Sequence, residues 1–378
     1  MTRGVFFSIL VGLILFCVNP LFSTTINIPD DYSTIQGGID AAVNGDTVLV
    51  SDGTYTGDGN RDIDFAGKNI LVKSLSGREY TVIDCENSGR GFHFQSEENN
   101  SAIIEGFTIL NGESDVGAGI LIGNSTPKII NCSFEDCGSP SSTGGAICVS
   151  NSSALTLEII NCDFIGNNAG TAGGVYCNAN RDIIISGCFF EGNVGNTSGV
   201  LALGGNGTFI IEFCTFVNNI GTGNASVYYE TSSEGTVIFT NCILYGNFSG
   251  YSAGDRAPIY DNVDSISCTN IYGNTPGDWI WPIENHLPIN GNFSLDPLFC
   301  DTSNGNYYIH FSSPCAPANN SCVELIGALS VGCGIPPNII STFPAQNELN
   351  VSPSADITVT FDIDMDAVSY THLTLPTN

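Results

Sequence analysis

An all-β parallel solenoid is the fold class that this 378-residue sequence predicts, and three observations lead to it. Cysteines shortly preceding an aromatic or aliphatic residue recur at Cys132, Cys162, Cys188, Cys214, Cys242 and Cys268, separated by 30, 26, 26, 28 and 26 residues. A period in that range marks a repeat architecture. Each repeat contains a strand-length run rich in β-branched and aromatic residues, such as "KIINCSF", "LEIINCDF", "DIIISGCFF" and "TVIFTNC", bounded by Gly, Asn and Ser turns. Finally, no convincing helical stretch separates successive runs, and parallel strands without helices between them require a solenoid whose coils stack about 4.8 Å apart.

The chain opens with "MTRGVFFSILVGLILFCVNPLFSTT", where Arg3, an apolar run from Val5 to Val18 and small residues around Ser23 read as a signal peptide over residues 1–23. The run is short for a membrane span and no other candidate follows, so an exported chain with no membrane span after signal removal is expected. Cys17 leaves with the signal, so 14 of the 15 cysteines reach a compartment where disulfides persist.

The next segment, "YSTIQGGIDAAVNGDTVLV", supplies a lid for the first coil. Ser33 or Thr34 is placed to cap a short helix with Ile35, Ile39, Ala42 and Val43 on one face, and Gly45-Asp46 turns into a strand. From about Thr47 to Phe311 roughly ten coils would form a rod about 50 Å long. Ile129, Ile159, Ile185, Ile211 and Phe239 stand three residues before the repeating cysteines and should form one inward column, the cysteines themselves a second column of buried thiols. An offset of three breaks strand alternation, so a turn or bulge must separate the two columns. Asn167, Asn193, Asn219, Asn247 and Asn274 occupy the turn after the Phe or Tyr, where an amide can bridge successive coils.

These residues carry a resemblance. "GGAI" with "FIGN", "GGVY" with "FEGN", and "FVNN" are similar to the GGA(I/L/V)/FxxN repeats of polymorphic outer membrane proteins, over roughly Asp84 to Asn274. More broadly the region resembles the right-handed parallel β-helix of the pectin-lyase-like superfamily, whose members open on a short amphipathic helix. The resemblance implies a right-handed parallel β-helix repeat protein over residues 24–334, secreted or held at the cell surface in association with an outer membrane.

At the far end, Cys300, Cys315, Cys322 and Cys333 sit in irregular sequence without ladder spacing, and two disulfides among these four are expected. Residues 335–367, with "DITVTFDID", resemble the start of a bacterial Ig-like domain, incomplete beside the roughly 100 residues such a sandwich needs. The last stretch, "VSYTHLTLPTN" over 368–378, looks like the translation of a sequencing adapter and is read as an artefactual tail.

Charge narrows the function classes. With 9 Lys and Arg against 38 Asp and Glu, the net charge of -29 excludes nucleic acid as a partner and disfavours anionic polysaccharide unless cations bridge it. Catalytic members of the superfamily use clustered Asp/Glu that hold calcium with an Arg or Lys base, or two or three close Asp with a His. "DGNRDID" places Asp58, Asn60, Asp62 and Asp64 at the alternate spacing of calcium loops, although Ile63 and Asn69 stand where an EF-hand has Gly and Glu. The competing reading is a strand with Ile63 and Phe65 inward; calcium is the one cofactor suggested. "GRGFHF" offers Arg90 and His93 near Asp84 as a local acid/base group or an ordinary turn and strand. Trp279 and Trp281 in "GDWIWPIENH" would stack on sugar rings or cover the late coils.

The expectation is a monomeric scaffold or adhesion protein that binds a polysaccharide, a cell-surface glycan or another surface without catalysis. The alternative is a polysaccharide lyase or glycoside hydrolase. An enzyme should gather three or more Asp/Glu with an Arg, Lys or His in one lateral groove, whereas a scaffold should scatter its carboxylates.

Overall fold

The computed structural model describes residues 23–151, 153, 155–231, 235–250, 258–260, 263–334, 339–343 and 358–361. Nearly all of the signal segment, most of the Ig-like segment and the whole tail read from the sequence lie outside these residues. In the last part described, Ile339–Phe343 pairs antiparallel with Thr358–Phe361.

The rod is a right-handed parallel β-helix built from ten-, nine- and eight-stranded parallel sheets, with a short four-stranded one at a corner. One coil runs from Lys128–Ile130 in the ten-stranded sheet, through Ser133–Glu135 in the nine-stranded sheet, to Ile147–Val149 in the eight-stranded sheet. The chain then returns to the ten-stranded sheet at Leu157–Ile160, directly above its starting strand.

Inward columns follow from this register. Ile129, Ile159, Ile185, Ile211, Phe239 and Ile266 are consecutive partners and fully buried. The corner that shifts the phase after each of them is a left-handed residue: Asn131, Asn161, Gly187, Phe213 and Asn241 all have φ between 52° and 66°. Such a residue turns the chain without a bulge, and Asn and Gly take it at the least steric cost. Cys132, Cys162, Cys188, Cys214 and Cys242 follow as buried free thiols. Burial pushes the Cys132, Cys162 and Cys214 thiols far up, so they remain protonated small hydrophobes.

Next along each coil, the rings of Phe134, Phe164, Phe190 and Phe216 stack with centroids 5.0, 4.5 and 4.7 Å apart. The asparagines of the following turn are buried rather than surface features. Each donates from Nδ2 to the next coil's Oδ1, from Asn167 through Asn193, Asn219 and Asn247 to Asn274, at 2.8–2.9 Å. Each also donates to a backbone carbonyl of the preceding coil, as Asn193 does to Phe164 at 2.8 Å. Asn247 begins an Asn-Phe-Ser glycosylation sequon but is therefore no glycan acceptor, whereas Asn131, Asn151, Asn196 and Asn206, which begin Asn-x-Ser/Thr sequons as well, are exposed. Gly173 of the "GGVY" bend is required by contact, since a Cβ there would stand 2.6 Å from the Asn167 carbonyl and 2.8 Å from that of Gly199.

The N-terminal lid is helix Ile35–Ala41, capped by Thr34, whose hydroxyl accepts from Gly37 N at 3.1 Å. Ile35, Ile39 and Ala42 are buried, but Val43 is 53% exposed. The helix ends at Ala41, so Val43 lies past it and leaves the apolar face.

The cysteine expectations need two corrections. Cys268 is not a ladder thiol. Ser267 pairs with Thr240, which puts Cys268 opposite Asn241 at the left-handed corner (φ 49°), while Thr269 takes the ladder position and its hydroxyl accepts from Cys242 N. The sequence spacing of 26 hides this because the coil is 27 residues long at that point. Cys268 instead forms a disulfide with Cys322, and Cys300 forms one with Cys333. Cys315, expected in a disulfide, is a buried free thiol beside the Asn270 amide, which donates to it at 3.3 Å. Replacing Cys322 with serine frees the 54-residue loop and should lower stability by about 3 kcal/mol. Cys315→Ala should lower it by only about 1 kcal/mol, so thermal unfolding of the two variants separates this pairing from one involving Cys315.

Candidate functional site

The residues singled out from the sequence are held apart. Asp58 pairs with Arg61 at 3.0 Å on the surface. Asn60 is turned inward, accepting from Ile35 N at the start of the helix and donating to the Thr56 carbonyl. Asp62 accepts from Arg90 N, and Asp64 accepts from Gln95 Nε2 at 3.0 Å. Ile63 and Phe65 are fully buried, as the strand reading requires. Four ligands committed to four different partners do not fit a calcium site, and among the described residues no three His, Cys, Asp or Glu gather to hold a metal. Asp84 and His93 belong to different sheets, so "GRGFHF" makes no acid/base group with Asp84. Burial, with Arg90 nearby, lowers the pKa of His93.

The two tryptophans diverge. Trp279 packs on the main core and donates from Nε1 to the Phe293 carbonyl at 3.2 Å, covering the late coils. Trp281 is 58% exposed and meets Tyr260 edge-on at 5.4 Å, beyond the stacked pair Tyr229–Tyr260.

Elsewhere, on the outer face of the nine-stranded sheet, the fold builds a trough of about 500 Å³. Its floor is made of outward residues one and three places after the ladder cysteines: Ser133 and Glu135, Asp163 and Ile165, Phe189 and Glu191. One wall is the loop carrying Arg78 and Glu79, and the other is the segment Asn304–Tyr308. Arg78 is fixed along the first wall. Its carbonyl accepts from Thr108 Oγ1 at 2.8 Å, one guanidinium nitrogen donates to the Asn161 carbonyl at 2.7 Å, and another meets Asp163 Oδ2 at 2.6 Å.

Four carboxylates and one arginine therefore share the trough. Burial pushes the Asp163 carboxyl up to about 6; Arg78 opposes this and Glu135 adds to it. Tyr307 is pushed up to about 12 by burial and by the Glu191 carboxylate beside it.

The Asp163 shift has a definite sign. A carboxyl whose pKa is higher in the folded chain than the unfolded 3.8 stabilises the fold fully below about 4, and that contribution is lost as pH rises to about 6. Asp163→Asn mimics the neutral form. Relative to the parent protein, the variant should gain up to about 3 kcal/mol between pH 4 and pH 7, read from urea unfolding of both proteins across that range.

Sequence reasoning passed over these residues because Arg78, Asp163 and Tyr307 are far apart in the chain. The usable signal was columnar: aligning each coil on its cysteine and reading the first and third following positions lines up the floor.

No family model matches the chain, and no curated protein matches it. Among solved structures, the pectate lyase Pel9A is similar over 82% of this chain and 97% of its own, with 13% identity and a TM-score of 0.48.

Proposed function

We propose that the protein is an exported, surface-displayed β-helix that binds a neutral or amine-bearing glycan in the trough over the nine-stranded sheet. The observation that carries this reading is the polar trough itself, where Glu79, Glu135, Asp163 and Glu191 outnumber the single Arg78 between two walls. Carboxylates and hydroxyls accept hydrogen bonds from sugar hydroxyls, and the exposed Tyr308 on one wall offers an apolar face to ring C–H groups. The surplus of negative charge, on a chain of net charge -29, repels uronate polymers. The leader-like first residues and the GGAI/FxxN repeats, similar to those of polymorphic outer membrane proteins, support export and surface display.

The test is binding of the Thr24 to Gly334 chain to a panel of neutral, amine-bearing and uronate oligosaccharides by calorimetry. Neutral or amine-bearing sugars should bind, and Glu135→Gln should weaken binding by about tenfold, the loss of one charge-assisted hydrogen bond. Uronates binding best, or no glycan binding at all, would sink the reading.

Two observations favour a second reading, glycoside hydrolysis in the same trough. Four carboxylates gathered with Arg78 in one lateral groove are the arrangement expected of an enzyme rather than of a scaffold, and the Asp163 carboxyl among them is pushed up by burial. A carboxyl titrating near 6 beside another carboxylate is the pairing in which one group protonates the leaving oxygen while the other activates water or attacks the sugar. Release of reducing ends from a bound glycan, lost in Asp163→Asn with binding retained, would establish it.

A further inference from the structure

We infer that the trough is a dead end that takes the terminus of a glycan chain and admits no chain running through it. The inference rests on reading the trough as the glycan site. On the outer face of the nine-stranded sheet the column Asp84, Leu110, Glu135, Ile165 and Glu191 is half-buried throughout, whereas its next member, Val217, is fully covered. In the neighbouring column Phe189, Thr215 and Ile243 are covered in succession.

The cover is the C-terminal segment. Tyr307 packs on Phe189 with ring centroids 5.6 Å apart, and its hydroxyl accepts from Asn218 Nδ2 at 2.8 Å. Ala328 N donates to Thr215 Oγ1 at 2.9 Å, and Gly327 N donates to the Asn241 carbonyl at 2.7 Å. The Cys268–Cys322 disulfide ties this segment to the rod. Toward the N-terminal coils the Arg78 loop lies on Thr108, whose hydroxyl donates to the Arg78 carbonyl, but the neighbouring outward column of Ile165, Glu135, Leu110 and Asp84 stays half-buried all the way. A sugar chain lying along the rod can therefore extend toward the N-terminal coils but must stop at Tyr307.

From the strand of Thr108 to that of Phe189 the floor spans three strand spacings, about 14 Å. That length suits a short oligosaccharide or the last few units of a polymer. Subsites should be exhausted within it, so affinity should stop growing with chain length.

The experiment uses the full mature chain with linear β-1,4-glucan and β-1,4-N-acetylglucosamine oligosaccharides, from the disaccharide to the octasaccharide, and with size-fractionated soluble polymers of the same sugars. Affinity should rise roughly tenfold per added unit while subsites remain, then change by less than about twofold beyond the tetrasaccharide. The number of protein molecules bound per polymer chain should stay constant as the polymer lengthens. Affinity that keeps rising to the octasaccharide, or a stoichiometry proportional to polymer length, overturns the dead end while leaving glycan binding intact. Absence of binding to every member overturns the glycan reading itself and the dead end with it. As a second measurement, Tyr307→Ala, if its thermal midpoint is kept, should uncover Phe189 and move the plateau out by about one sugar unit; a plateau that does not move overturns Tyr307 as the stop. In a variant that fails to fold, the length series on the parent protein still decides the matter.

Discussion

Replacing Asn193 with alanine should lower the unfolding free energy by about 5 kcal/mol, and Asn219 and Asn247, which make the same four bonds, should respond alike. The Asn193 side chain is fully buried and makes four hydrogen bonds. Its Oδ1 accepts from Asn167 N and Asn167 Nδ2, at 3.1 and 2.9 Å, and its Nδ2 donates to the Phe164 carbonyl and to Asn219 Oδ1. Truncation leaves both the backbone N–H and the Nδ2 of Asn167 without their shared acceptor, away from water, and takes one donor from the Phe164 carbonyl. Each such orphan costs about 1–3 kcal/mol, and the vacated volume adds to that. Asn193→Asp is the informative comparison. It keeps the acceptor but loses both donors, so its deficit should shrink at acid pH, where the carboxyl regains a proton to donate. A drop below about 1 kcal/mol for Asn193→Ala, measured by urea unfolding, would show that water replaces the ladder bonds.

The second large effect concerns Arg181, which is 2% exposed and whose guanidinium binds backbone carbonyls. Nη1 donates to Ser125 at 2.8 Å, Nε donates to Asn151 at 3.0 Å, and Nη2 reaches Asn151 and Gly123. These carbonyls lie 30 to 58 residues upstream, so one side chain clamps more than one earlier coil. Arg181→Ala should cost about 4 kcal/mol through the unsatisfied carbonyls and the cavity. Arg181→Lys should recover about half, because an ammonium is a compact point donor and cannot span the same fork. Equal stability of the Lys variant and the parent in thermal unfolding would sink the clamp.

How legible this was in the sequence varied with the kind of feature. The Ile129 to Phe239 column, the need for a phase shift before each cysteine and the capped N-terminal helix were readable because they depend on local period and on cap chemistry. The register at Cys268 was not, since a single extra residue in one coil moves a side chain from the core to the corner, and cysteine suits both places. The asparagines were readable as turn residues, but their burial was not, because it depends on a neighbouring coil supplying each amide's partner. The trough was hidden for a similar reason. Its floor repeats with the coil, but its walls come from one loop near Arg78 and from a segment more than 200 residues later, and nothing local in either stretch announces the other.

Between Cys162 and Cys214 the coils are 26 residues long, and every partner in one coil has a counterpart in the next. The length of such a rod is quantised. Removing one residue from a strand there displaces the columns that follow it in that coil, whereas removing one whole coil joins Cys162 to the place of Cys188, Phe164 to that of Phe190 and Asn167 to that of Asn193, leaving each ladder continuous. For this stretch, then, a block of 26 codons is the change that keeps every ladder in register, while the 27-, 28- and 30-residue coils elsewhere hold their extra residues in the turns between strands.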